Sequence, residues 1–125
     1  MNPDIHDLPL LEEKLGYIFQ DRTLLITSLT HKSFTNENPG LASENNERME
    51  FIGDAVLSLI VSHYLYKRHS ELNEGSLSKI RANLVNENCL ASVATKIGLG
   101  TYIFLGKGEE GTGGREKVSL LSDVL

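Results

Sequence analysis

Three carboxylates draw attention first: Glu47, Glu50 and Asp54, at the start of the stretch Asn46 to Lys67. At about 100° per residue, a helix projects all three from an arc of roughly 60°. Such an arc costs a helix stability. Like charges at i,i+4 destabilise by about 0.2–0.5 kcal/mol, only partly offset by the dipole at the N-terminus. A hard cation would repay the arrangement, because Mg²⁺ takes oxygen ligands and keeps several waters, so carboxylates one turn apart can share it. A solvated, charged helix start explains the same spacing. Two residues favour the cation. Gly53 lies inside the helix at a cost of about 1 kcal/mol against Ala, which predicts close packing there. Asp123 lies in the apolar stretch KVSLLSDVL, where a bare buried carboxylate is expensive. Glu74 precedes Gly75 and Ser76 at another helix start, where complementing the dipole is a sufficient reason for an acid.

The elements that must position these residues read as helices. Beyond Asp54, Val56, Leu57, Leu59, Ile60, Val61, Tyr64 and Leu65 cover most directions, which predicts a buried central helix. Asp7 to Gly16 is a short amphipathic helix, with Leu8, Leu10, Leu11 and Leu15 opposite Glu12, Glu13 and Lys14. A second helix is predicted from Arg22 to Ser33, capped by Asp21, with Leu24, Leu25 and Leu29 apolar. Thr35 to Asn45 is predicted to be a loop. Asn73–Val85 and Glu87–Ile97 are two more helices, Thr101–Leu105 a short extended piece, residues 106–114 a mobile glycine loop, and Lys117–Leu125 a last helix. The class is all-α: a helical bundle around one long buried helix, forming a single domain over residues 1–125.

Composition narrows the function. With 12 basic and 17 acidic residues the net charge is −5, which argues against gripping nucleic acid by charge over the whole surface. A site whose metal supplies the positive charge remains compatible. One cysteine, Cys89, excludes an internal disulfide and fits a reducing compartment, so a cytoplasmic protein with no membrane association is expected. Gly106 to Gly111 matches G-x-G-x-x-G, but no βαβ pattern surrounds it, so no nucleotide cofactor is expected. His31, in THKSF, is a polar candidate near a helix end.

The stretch Glu47-Arg48-Met49-Glu50-Phe51-Ile52-Gly53-Asp54-Ala55-Val56-Leu57 resembles the signature of the ribonuclease III endonuclease domain. THKSF, Glu74-Gly75 with LSKIRANLV, LGKGE and GGREKVSLLSD extend the resemblance along nearly the whole chain, and Ile52 is a conservative departure from the usual Leu or Val. The resemblance implies a homodimeric, all-α, cytoplasmic endonuclease. It would cleave double-stranded RNA with Mg²⁺ (Mn²⁺ substituting) to staggered ends bearing 5′-phosphates and 3′-hydroxyls, in processing ribosomal and other structured RNA precursors. It implies Glu50, Asp54 and Asp123 as metal ligands, Asp54, Glu47 and Glu74 as acids of the catalytic valley, and Phe51 as the aromatic that enters the partner subunit. The family's fourth ligand falls at position 126, one past the end. The end of the domain and the double-stranded-RNA-binding domain of many members are therefore expected to be missing, leaving this chain poorly active. The other reading is a catalytically silent, ribosome-associated scaffold of the same fold. Such proteins typically lose signature acids, and here all five are present.

Overall fold

The computed structural model describes residues 1–42 and 44–125; Ser43, within the predicted loop Thr35–Asn45, lies outside them. Among the described residues eight α-helices follow one another: α1 (Leu8–Leu15), α2 (Arg22–Leu29), α3 (Lys32–Glu37), α4 (Glu47–Arg68), α5 (Glu74–Leu84), α6 (Glu87–Ile97), α7 (Lys107–Gly111) and α8 (Val118–Val124). Short 3₁₀ turns at Ile5–Asp7, Leu99–Tyr102 and Gly114–Glu116 link some of them. Among the described residues the only β pairing is an isolated parallel bridge between Thr30 and Phe104. The all-α expectation holds.

Local chemistry sets the boundaries. The side chains of Asp21, Asn73 and Asn86 accept from the backbone N–H groups of Thr23, Ser76 and Cys89, capping α2, α5 and α6. Gly16 and Gly98 end α1 and α6 in the left-handed conformation, at φ 67° and 74°. The predicted helix Arg22–Ser33 is in fact broken at Thr30 and His31. Phe104 N–H donates to Leu29 C=O at 2.9 Å and His31 N–H to Phe104 C=O at 3.0 Å, so the bridge interrupts the helical ladder there. α3 then runs to Glu37, three residues into the predicted loop.

The core is built from α1, α2, α6, the Leu99–Leu105 segment and α8. Leu8, Leu11, Leu25, Leu29, Ala91, Ala94, Ile103, Leu105, Leu120 and Leu121 are all buried in it. The polar face of α1 holds one surprise. Glu12 is 2% exposed, and its carboxylate accepts from Phe19 N–H at 2.7 Å and from Arg22 at 2.9 Å. Pairing makes that burial tolerable.

Two further expectations are corrected. Residues 106–114 are ordered as α7 and a 3₁₀ turn rather than a mobile loop. Glu37 accepts from Lys107 N–H at 2.9 Å and Gly108 N–H at 3.4 Å, and Arg115 donates to the carbonyls of Gly100 and Ile103 at 3.0 and 2.6 Å. A Cβ at Gly106 would overlap the Glu37 carboxylate and stand 2.6 Å from Ser33 C=O, so glycine is required there for packing. The amides a phosphate would need are taken by Glu37, which supports rejecting the dinucleotide motif.

The second correction concerns α4. It is not buried within this chain: Leu65 is its one buried residue, while Phe51 is 82% exposed, Leu59 69% and Tyr66 72%. The helix packs on α5, where Arg81 donates to Ser62 Oγ at 2.9 Å, but most of its apolar surface faces outward. Apolar periodicity reports that a surface needs a partner. It does not report whether the same chain provides one.

Candidate active site

Asn46 anchors the start of α4. Its N–H donates to Thr30 C=O at 2.9 Å and its side-chain amide to Ser28 C=O at 3.1 Å, which fixes the first acidic turn against the end of α2. The side chain of Asn45, rather than Asn46, accepts from Glu47 N–H at 3.0 Å. From this anchor α4 aims Glu50 and Asp54 at the end of α8. Glu50, Asp54 and Asp123 all line one cavity of about 340 Å³, together with Ser28, Asn46 and Glu87.

The electrostatics are those of a crowded acidic site. The Glu50 carboxyl is pushed above its ordinary pKa, first by desolvation and then by the charges of Asp123, Asp54 and Glu47. Asp123 and Glu50 both keep exposed surface, and the like charges of Asp123, Asp54 and Glu47 add to the desolvation. Gly53 lines the same cavity, yet beyond its own stretch of helix no described residue lies within 4 Å of where its Cβ would be. The close packing predicted from Gly53 is therefore absent within the protomer, and the glycine keeps that wall of the cavity open.

The remaining candidates divide. Glu47 is not among the cavity residues, but its charge reaches Glu50, and it forms an ion pair with Lys32 at 3.8 Å. Glu74 stands apart: it opens α5, accepts from Ser78 Oγ at 3.0 Å, and is not among the cavity residues. Phe51 projects from α4 into solvent. Glu87 was missed by the sequence reading. It follows the Asn86 cap as the first residue of α6, where dipole complementation already accounts for an acid, so only the fold shows that it faces the cavity.

Donor chemistry fits a hard divalent cation, since Glu50, Asp54 and Asp123 offer only carboxylate oxygens and their mutual repulsion is relieved by positive charge. Among the described residues no three His, Cys, Asp or Glu side chains are drawn together as a ready ligand group. An ion that keeps several waters does not require one.

Comparison with known proteins identifies the family. A family model described as Ribonuclease-III-like matches residues 21–125. Ribonuclease 3 of Pelotomaculum thermopropionicum is 52% identical over 124 residues, covering 98% of this chain and 52% of that protein. Ribonuclease 3 of Syntrophobacter fumaroxidans is 50% identical, over 94% of this chain and 49% of its own length. The chain thus spans about half the length of the curated relatives it matches. A crystal structure of the nuclease domain of ribonuclease III from Campylobacter jejuni superposes with a TM-score of 0.86 at 48% identity, over 96% of this chain and 78% of that one. A second structure of that domain, described as flexible in the region involved in dimer formation, gives 0.83 at 50% identity, covering 91% of this chain and 76% of that one. In sequence and in fold, this chain belongs to the ribonuclease-III-like family.

Proposed function

We propose that the chain is the nuclease portion of a double-strand-specific endoribonuclease that requires Mg²⁺, with Mn²⁺ able to substitute. The observation that carries this reading is the meeting of Glu50 and Asp54 from α4 with Asp123 from α8 around one cavity. These three carboxylates would hold the cation, which would supply the Lewis acidity and positive charge that a phosphodiester needs at an acidic surface. Asp54 would orient the attacking water and accept its proton as the water adds to phosphorus. The 3′-oxygen leaves, so the products carry 5′-phosphates and 3′-hydroxyls. Glu47 would sustain the negative field at the mouth of the site. Glu74, outside the cavity of its own protomer, has the weakest geometric support.

Duplex RNA is recognised chiefly by shape and by phosphate and 2′-hydroxyl contacts across the minor groove. Two symmetric sites suit it. The apolar side chains that α4 leaves exposed, Phe51 foremost, give a second copy of the chain a surface to bury, and the resulting homodimer would cut both strands to staggered ends. Ribosomal and other structured precursors are the substrates we expect. The unpaired thiol of Cys89 fits a cytoplasmic setting, and among the described residues no helix is long and apolar enough to cross a membrane.

The test is cleavage of a long RNA duplex by this chain with and without Mg²⁺, beside Asp54→Asn. Staggered 5′-phosphorylated products that need the metal and vanish in the variant would support the reading. Because slow cleavage is expected of this chain, only a duplex left intact by an excess of folded, dimeric protein would favour a silent RNA-binding scaffold.

A further inference from the structure

His31 sits at the bend between α2 and α3, outside the cavity but beside it. Its main chain is held on both sides: the N–H donates to Phe104 C=O and the C=O accepts from Phe34 N–H, each at 3.0 Å. The neighbouring Thr30 C=O accepts from Asn46 N–H at 2.9 Å, which ties the bend to the first turn of α4. The ring is held as well. Its Nδ1 accepts from the Ser33 backbone N–H at 3.1 Å and lies 2.8 Å from Ser33 Oγ. That hydroxyl in turn accepts from Gly106 N–H at 2.9 Å, leaving its own proton for Nδ1. An accepting Nδ1 carries no proton, so the neutral ring carries it on Nε2.

Nε2 makes no hydrogen bond to the described residues, and none of their buried side-chain nitrogens is unpaired, so the Nε2–H reaches solvent. Burial lowers the ring's pKa despite the opposing charges of Glu109, Asp123 and Glu47, which keeps it neutral and puts it within electrostatic reach of the acidic site.

We propose that His31 is a substrate-positioning residue whose Nε2–H donates to a non-bridging phosphate oxygen of the RNA strand lying against the acidic cavity. This rests on the RNA-cleaving reading above. Carboxylates only accept hydrogen bonds and repel phosphate, so a strand at this cavity needs donors along its edge. A cationic side chain there is drawn to the acids, as Lys32 is to Glu47 at 3.8 Å. A neutral ring whose tautomer Ser33 fixes can donate without entering that pairing.

His31→Asn separates the ring's two tasks, because Asn keeps an acceptor for Ser33 N–H at the helix cap but removes the Nε2 donor. Single-turnover cleavage of duplex RNA should fall about tenfold or more, as for loss of a hydrogen bond to a charged group, with the thermal midpoint unchanged. The second readout is ¹⁵N NMR of the histidine rings in the unsubstituted chain, with and without a short RNA duplex and no added divalent metal. The expected spectrum is that of the Nε2–H tautomer, with the His31 Nε2 signal shifting as duplex is added. An unchanged rate in His31→Asn, an Nδ1–H tautomer, or duplex-induced shifts at the Glu50 and Asp123 amides with His31 Nε2 unmoved would overturn the assignment and leave the nuclease reading standing. No duplex-induced shift anywhere, combined with no cleavage in Mg²⁺, would remove the nuclease reading and this inference with it.

Discussion

Two apolar surfaces in this molecule have opposite fates. Leu8 and Leu11 of α1, Leu25 and Leu29 of α2, and Leu120 and Leu121 of α8 meet in one core with almost no exposure. Phe51, Leu59, Ile60 and Tyr64 of α4 are as apolar in sequence, yet each stays more than half exposed. The core helices complement each other within the chain, whereas α4 packs mainly on α5 and turns most of its apolar surface outward. The same helix carries Glu50 and Asp54, two of the three acids of the candidate site, on its first turns. The candidate site and the unsatisfied surface therefore share one element, so anything that covers the apolar face would also fix where a second acidic cluster stands.

The contrast can be broken by truncating each surface. Leu29→Ala should cost about 2–5 kcal/mol in denaturant unfolding, as core truncations do. Leu59→Ala, at a side chain 69% exposed, should cost less than about 0.5 kcal/mol in dilute protein. Equal costs would mean that α4 is already covered under those conditions. A sharper form is Phe51→Ser, which should convert a sedimenting dimer to monomer while leaving far-UV circular dichroism unchanged.

Cap residues come next in size. Asn86→Ala should lose about 1 kcal/mol of stability by removing the acceptor for Cys89 N–H at the start of α6. Charge effects are smaller and have definite signs. The Glu50 carboxyl is raised above its unfolded value, so the folded state holds its proton more tightly and ionisation at neutral pH costs stability. Glu50→Gln should raise the thermal midpoint at pH 7, with the gain fading as pH falls below the glutamate range. Glu109 is the opposite case, lowered first by its hydrogen bond from Lys117 at 2.7 Å. Its contribution is present above the ordinary glutamate range and lost as pH falls through the depressed value. Lys117→Met should therefore lower the midpoint slightly at neutral pH and not at all in acid.

The comparison also explains what the sequence revealed. The Asp21 cap was legible because it acts on an amide two residues away, whereas Asn73 and Asn86 show themselves as caps only in the fold. The acids Glu50 and Asp54 were legible because one helix face sets their relation, and family resemblance added Asp123 from a distant helix. Three features were hidden. The break at Thr30 depends on Phe104, more than seventy positions on. The order of residues 106–114 depends on Glu37 and Arg115, which no local pattern announces. The exposure of α4 depends on what else the chain can offer, and an apolar helix looks the same with or without a partner.

The central claim is that Glu50, Asp54 and Asp123 form one cation site. Calorimetric titration of the folded chain with Mg²⁺, beside Asp123→Asn, tests it most directly. The account predicts saturable binding in the unsubstituted chain and a large loss of affinity in the variant, although Asp123 lies on a different helix from the other two acids. Undiminished Mg²⁺ binding by Asp123→Asn, or no saturable binding by the unsubstituted chain, would contradict it.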